Sequence, residues 1–352
     1  MRKIIFLLLL SELFCLYSAD LYRIKYNDKY GYIDKKKNIV IEPQYDYAED
    51  FLGEFTIVGQ ISNKSDVYSV INKINIVFDS ILKDCDRLSR VSETIFYNGF
   101  RGFFYDVSLK KMIELDKTAA PYFNLTQKCY YPSSKKEVEY IDSNFQTILT
   151  GNNWHIAYAM IDGMAFVIKR DWSQVVINIK GEEILDNVYD CGMSASEGLL
   201  AVETNKESGY INNKGEFVFH CSFEPNNHTF YPPGINYPFS EGVAAVQVRD
   251  GVFTIFDKKG KIILKEKSVL DMQPCKDGFI LYQTFDNKYG FVRKNGQNAF
   301  TTEFDYAESF YNGFAIISYN GNDAILDKAG NVFLAKDLVK GKKDIFINLA
   351  NK

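Results

Sequence analysis

Three histidines, His155, His220 and His228, are the first place to look for chemistry, because imidazole is the commonest metal ligand and neutral-pH base. None lies in an H-E-x-x-H spacing, and no cysteine joins them in a cluster. The residues therefore offer no zinc site, and neither metal nor cofactor is expected. Gly-x-Ser-x-Gly and Gly-x-x-x-x-Gly-Lys are both missing from the sequence, which removes two common hydrolase and phosphate-binding signatures. Carboxylates come in pairs, such as Asp46 with Glu49 and Asp305 with Glu308. Paired carboxylates can cleave glycosides. These pairs, however, recur at one place in a repeating unit, which points to a shared structural role, and no catalytic residue is assigned. Asp34, Asp257 and Asp327 start turns. One carboxylate per turn is too few for calcium, and turn formation accounts for them. Cys85 and Cys191 align with Tyr47 and Tyr306, a place shared by four units that suits packing better than nucleophilic attack.

The elements that must carry these residues are read from the repeat. The stretch from Lys29, K-Y-G-Y-I-D-K-K-K-N-I-V-I-E-P-Q-Y-D-Y-A-E-D-F, aligns without a gap to the stretch from Lys288, K-Y-G-F-V-R-K-N-G-Q-N-A-F-T-T-E-F-D-Y-A-E-S-F. Degenerate copies lie between, with Gly31 matched by Ser69, Gly102, Glu139, Val175, Gly209, Thr254, Gly290 and Ala324. This gives about nine units of about 36 residues each. A second anchor precedes most units: S-E-G-L-L-A-V from Ser196, S-E-G-V-A-A-V from Ser240, K-D-G-F-I-L-Y from Lys276 and Y-N-G-F-A-I-I from Tyr311. Each unit parses as three short strands and a tail, joined by Asn-Gly or Asp-Gly hairpins and by turns such as Asp257-Lys258-Lys259-Gly260. Val243-Ala244-Ala245-Val246 is apolar on both faces of its strand, so its sheet must be covered on both sides. The fold class is all-β, a tandem array of antiparallel units over residues 20–352. A propeller-like closed array is favoured, with an open β-solenoid as the alternative.

Composition narrows the partners. Formal net charge is −4, from 41 basic and 45 acidic residues, so no basic excess favours nucleic acid. Residues 1–19 read as a signal peptide: Arg2-Lys3, then an apolar run from Ile4 to Leu10, then small Ser18-Ala19. Export to periplasm, outer surface or medium is therefore expected. Cys15 raises lipid anchoring, but Glu12-Leu13-Phe14-Cys15 matches a lipidation box poorly. No later run is apolar for long enough to span a bilayer, so the mature chain has no expected transmembrane span. The remaining cysteines, Cys85, Cys129, Cys191, Cys221 and Cys275, form no C-x-x-C pair and read as small buried side chains.

Y-G-Y-I-D-K-x-x-x-I-V-I-x-P-Q-Y-D-x-A, together with S-E-G-x-A-A-V, resembles the bacterial WG repeat, also called the KWG repeat. Residues 29–58, 196–220, 239–264 and 288–317 carry it best. The name-giving tryptophan is replaced by Tyr30, Phe253 and Tyr289, an aromatic exchange at a packing position. The resemblance implies repeated antiparallel β-units, often in exported or surface proteins, and no common activity.

Departures from the repeat are where a ligand is sought. The longest is Ser222 to Tyr237, with His228, Phe230, Tyr231 and Tyr237 among stiffening prolines. Another runs from Pro121 to Pro132, and a third is Asn152-Asn153-Trp154-His155, where Trp and His are adjacent. Exposed aromatics on rigid scaffolds stack on sugars or clasp peptides. The expected function is a non-catalytic exported scaffold that binds a protein or an envelope glycan. The expected ligand-binding residues are His228, Phe230, Tyr231, Tyr237, Trp154 and His155. The alternatives are a hydrolase with carboxylates at a propeller channel and a self-assembling structural module.

Overall fold

The computed structural model describes residues 20–350, apart from 63–65, 78–81, 84, 86–87, 91–92, 99–102, 115–121, 125–126, 131–137, 142–146, 152, 193–194 and 224–236. Residues 1–19, and with them the expected signal peptide and Cys15, lie outside the described residues. No helix among the described residues is long and apolar enough to cross a membrane.

Among the described residues the chain forms nine small antiparallel sheets, each built from strands adjacent in sequence. The glycine-equivalent positions fall on one strand of successive sheets, as in Lys29–Asp34, Val67–Asn72, Gln174–Asn178, Ser208–Ile211 and Asn322–Asp327. The chain is thus all-β and repeats as expected. Tyr122–Asn124 and Gln127–Tyr130, inside the second departure, pair as antiparallel strands.

The turns explain the spacing of the motif. Asp257 Oδ1 accepts the amides of Lys259 at 2.8 Å and Lys261 at 2.9 Å. Asp327 Oδ1 does the same for Ala329 and Asn331, at 2.9 Å each. Gly260 and Gly330 close these turns at φ of 79° and 84°, where a side chain would be strained. The Y-G-Y glycine has a different reason: a Cβ on Gly31 would sit 2.4 Å from the carbonyl oxygen of Ile41. The third strand bulges at this point, its register shifting between Tyr30 and Tyr32.

Contacts divide the chain into two compact units, one of Met1–Leu115 with Phe304–Lys352 and one of Asp116–Glu303. In each, the core lies between successive sheets. Val243 and Ala245 enter one cluster with Ile280 and Val292, whereas Ala244 and Val246 enter another with Leu199 and Tyr210. The two-faced strand is therefore covered on both sides, each fully buried valine contributing roughly 1.5–3 kcal/mol. Within the first unit, Tyr22, Ile24 and Ile33 of the first sheet pack on Ile325 and Phe333 of the last.

The S-E-G anchor is a joint between neighbours in the second unit. Asp162 Oδ2 accepts the amide of Gly198 at 2.7 Å, and Glu197 accepts that of Gly242 at 3.0 Å. Glu241 accepts the amides of Asp277 at 2.6 Å and Gly278 at 2.7 Å. Each acid thus binds the same turn one repeat further on. The serine hydroxyls of Ser196 and Ser240 donate to the carbonyls of Phe239 and Cys275, again one repeat on.

Candidate functional site

The groups that could do chemistry are mostly committed to the fold. Asp46 accepts the amide of Ile61 at 3.0 Å and pairs with Lys29. Asp305, its equivalent, accepts the amide of Gly321 at 3.2 Å. Glu49 and Glu308 accept the hydroxyls of Tyr47 at 2.9 Å and Tyr306 at 3.1 Å, two residues before them in each case. Arg23 gathers the acids of the first unit, with Nε 2.6 Å from Asp50 and Nη2 2.8 Å from Glu308. Burial opposes its charge, but the two carboxylates outweigh that and hold the guanidinium above its ordinary value. Burial, reinforced by Glu308, pushes Tyr30 up to about 12. The thiols of Cys221 and Cys275 are also pushed up to about 12, chiefly by burial, so neither is an available thiolate at neutral pH.

Cys191 corrects the alignment by one residue. It lies opposite Val202, as Ala48 lies opposite Val58 and Ala307 opposite Ile317. Its equivalents are therefore these buried alanines, not Tyr47 and Tyr306, which face outward. A one-residue slip in a strand moves a side chain to the other face.

The expected ligand-binding residues are placed unequally. His228, Phe230 and Tyr231 lie outside the described residues. Tyr237 is half-buried, stacks on Phe223 with centroids 6.0 Å apart, and its carbonyl accepts the hydroxyl of Tyr210 at 2.7 Å. It anchors the end of the loop in the core. Trp154 is 8% exposed and packs on Tyr140 within an apolar cluster. Its ring lies where a Cβ on Gly151 would be 1.9 Å from Trp154 Cδ2. Trp154 is therefore a core side chain, a correction to its expected role as a ligand contact.

His155 points the other way. Strand register shifts between Trp154 and Ile156, so His155 is the extra residue of a β-bulge, a device that re-aims a side chain. It is exposed and meets the ring of Trp172 edge-on, with centroids 4.8 Å apart and planes at 65°. Trp172 was not singled out from sequence. It is 61% exposed and sits in the hairpin between Met164–Lys169 and Gln174–Asn178. That turn is closed by Lys169 N to Ser173 O at 2.8 Å and Trp172 N to Lys169 O at 2.9 Å. Thr284, Asn287 and Lys288 close the hairpin after Phe279–Gln283 in the same pattern. Asn287 takes φ of 60° there, and Trp172 takes φ of 67°. Asparagine tolerates this left-handed conformation, whereas a bulky aromatic is strained in it. The signal in sequence was this mismatch, a tryptophan aligned with the turn residue Asn287.

Polar groups frame the pair. Arg170, Asp171 and Ser173 are exposed beside Trp172, and Lys169 Nζ is 3.0 Å from Glu183. The Asp171 carboxyl is held below its ordinary value by the Ser173 hydroxyl at 2.6 Å and amide at 3.0 Å. The Arg170 amide donates to the carbonyl of Asn153 at 2.9 Å, tying the turn to the strand that carries His155. The site is an exposed aromatic platform with polar neighbours.

Among solved structures, a eukaryotic initiation factor is similar at a TM-score of 0.55 and 13% identity, covering 81% of this chain and 85% of that one. Two other solved structures show a weaker likeness. AztD from Citrobacter koseri, in its apo form, has a TM-score of 0.42 and 11% identity, covering 95% and 96% of the two chains. BamB from Moraxella catarrhalis has a TM-score of 0.39 and 10% identity, covering 88% and 92%. At these identities the likeness is one of fold alone. No curated protein matches the chain in sequence. Residues 30–60 and 289–322 match the family model of the WG containing repeat. With the same turns and joints recurring in the sheets between, these two matches are consistent with a WG-repeat protein.

Proposed function

We propose that this protein is an exported, non-catalytic scaffold that binds a partner of the cell envelope, a protein or a glycan, through side chains displayed on its hairpin turns. The observation that carries this reading is Trp172. A tryptophan 61% exposed, held at φ of 67° where the equivalent turn has Asn287 at φ of 60°, costs stability and buries little. Strain of that kind is kept where it serves a site. Two features support a binding rather than a catalytic role. The paired acids serve turns, tyrosines and Arg23, and the SEG-type acids serve the joints between repeats. The N-terminal export signature supports the compartment.

The test is retention of the labelled full chain, without residues 1–19, on isolated envelope fractions. Saturable retention that falls at least about tenfold in affinity, roughly 1.4 kcal/mol, in Trp172→Asn supports the reading. An absence of saturable retention, together with a blank glycan array, overturns it.

A further inference from the structure

We infer that Trp172 and His155 form a subsite that stacks one sugar ring of a neutral glycan chain; this rests on the binding-scaffold reading and narrows it to one ligand class. The platform has the shape such a ring needs. One face of a pyranose presents C–H groups of slight positive character, and an indole face is the negative side of its quadrupole. The rim of the same sugar carries hydroxyls, which need donors and acceptors beside the ring. Arg170, Asp171 and Ser173, the exposed neighbours of Trp172 in its turn, carry both kinds.

Charge and setting decide against the other ligand classes. Arg170 and Lys169 are balanced by Asp171 and Glu183, so the rim does not select a polyanion or a polycation. The residues flanking the indole in its turn are polar and exposed, whereas the centre of a protein interface is an apolar patch depleted of charge. A single aromatic disc inside a hydrogen-bonding frame matches a sugar better than a protein hot spot.

The platform is also preorganised, which lowers the cost of ordering on binding. The backbone of the turn that carries the indole is closed at both ends, and His155 meets the indole edge-on from the bulged strand. His155 is thus a positioning residue for Trp172.

The chain has two tryptophans, and Trp154 is 8% exposed against 61% for Trp172. Ligand-dependent fluorescence therefore reports on Trp172. The experiment titrates the full chain with chitotetraose and with maltotetraose, both neutral. The expected result is a saturable fluorescence change with one of them; calorimetry with the same sugar, which needs no indole reporter, should show binding lost in Trp172→Asn and retained, more weakly, in Trp172→Phe. His155→Ala should raise the dissociation constant about tenfold without altering the buried Trp154 signal. Trp172→Asn does not threaten folding, because Asn287 occupies the equivalent position at φ of 60°. No saturable change with either sugar, and no signal on an array of neutral glycans, overturns the inference.

Envelope fractions separate this failure from that of the parent reading. Retention destroyed by periodate and surviving protease supports the glycan. Retention destroyed by protease and surviving periodate overturns the glycan and leaves partner binding intact. Retention on neither overturns both.

Discussion

At the scale of single residues, Trp172 sets stability against function. Replacing it with asparagine removes the strain of a bulky side chain at positive φ and should raise unfolding free energy by about 1 kcal/mol. Urea unfolding would show a higher midpoint with an unchanged slope, in the same variant that loses retention. A midpoint that falls would mean the indole is part of the fold rather than a site. Gly31 gives the opposite case. A Cβ there would lie 2.4 Å from a backbone oxygen that no rotamer change can move. Gly31→Ala should cost about 2–4 kcal/mol, read as a lower thermal midpoint. The demand at Gly31 was legible, since a glycine between two tyrosines of a strand announces close approach. Trp154 and His155 were legible only as a pair. Neighbours along a strand point to opposite faces, so one had to be inside, and the sequence did not say which. The answer depended on Gly151, which leaves space for the indole. Trp172 went unseen because its signal is conformational, a residue type in a backbone state that suits another.

At the scale of elements, the turns were the most legible feature, because their chemistry is local. Asp257 is held below the ordinary carboxylate value of 3.8 by the amides of Lys261 and Lys259. Asp46 is lowered by Lys29 and the amide of Ile61, and Asp286 by the hydroxyl of Thr284. A carboxyl depressed in the folded state adds stability that is fully present above its unfolded value and lost as pH falls through its folded one. These turns should therefore contribute an unchanged share from pH 7 down to about 5 and a shrinking one below about 4. Denaturation midpoints measured across pH 2 to 7 would show this, and Asp257→Asn should flatten the acid limb. Rising stability on acidification over that range would contradict the assignment. Register was harder to read than turn chemistry. Aligning Cys191 with Tyr47 missed by one place because motif alignment does not see which residues face each other across a sheet. The pairing with Val202 settled it, and the same place carries Met272 opposite Tyr282.

At the scale of the whole molecule, the first and last repeats meet inside one unit, and a mixed interface joins them. Tyr22, Ile24 and Ile33 bury their side chains against Ile325 and Phe333, while Arg23 binds Asp50 and Glu308. With its side chain 19% exposed, Arg23→Met should cost about 2–3 kcal/mol, somewhat less than a fully buried pair, by stranding two carboxylates. Adding Asp50→Asn and Glu308→Gln should recover much of that loss, because no uncompensated charge remains. Hydrogen exchange in Leu21–Tyr26 and Phe314–Tyr319 would report it locally. Equal loss in the single and triple variants would show that Arg23 acts through packing. The repeat count was readable from spacing, and a closed array was favoured over an open one, but which residues join the first and last repeats was not readable, since residues so far apart in sequence share no local pattern. The joint made by Glu197 and Glu241 carries one more consequence. The repeats of Glu197 and Glu241 each hold a carboxylate for the turn ahead and a turn for the carboxylate behind. Copying one repeat in the gene therefore copies both halves of a hinge pin and its socket. An array of this kind can lengthen by duplication without inventing a new interface, and only its terminal copies have to find another way to finish.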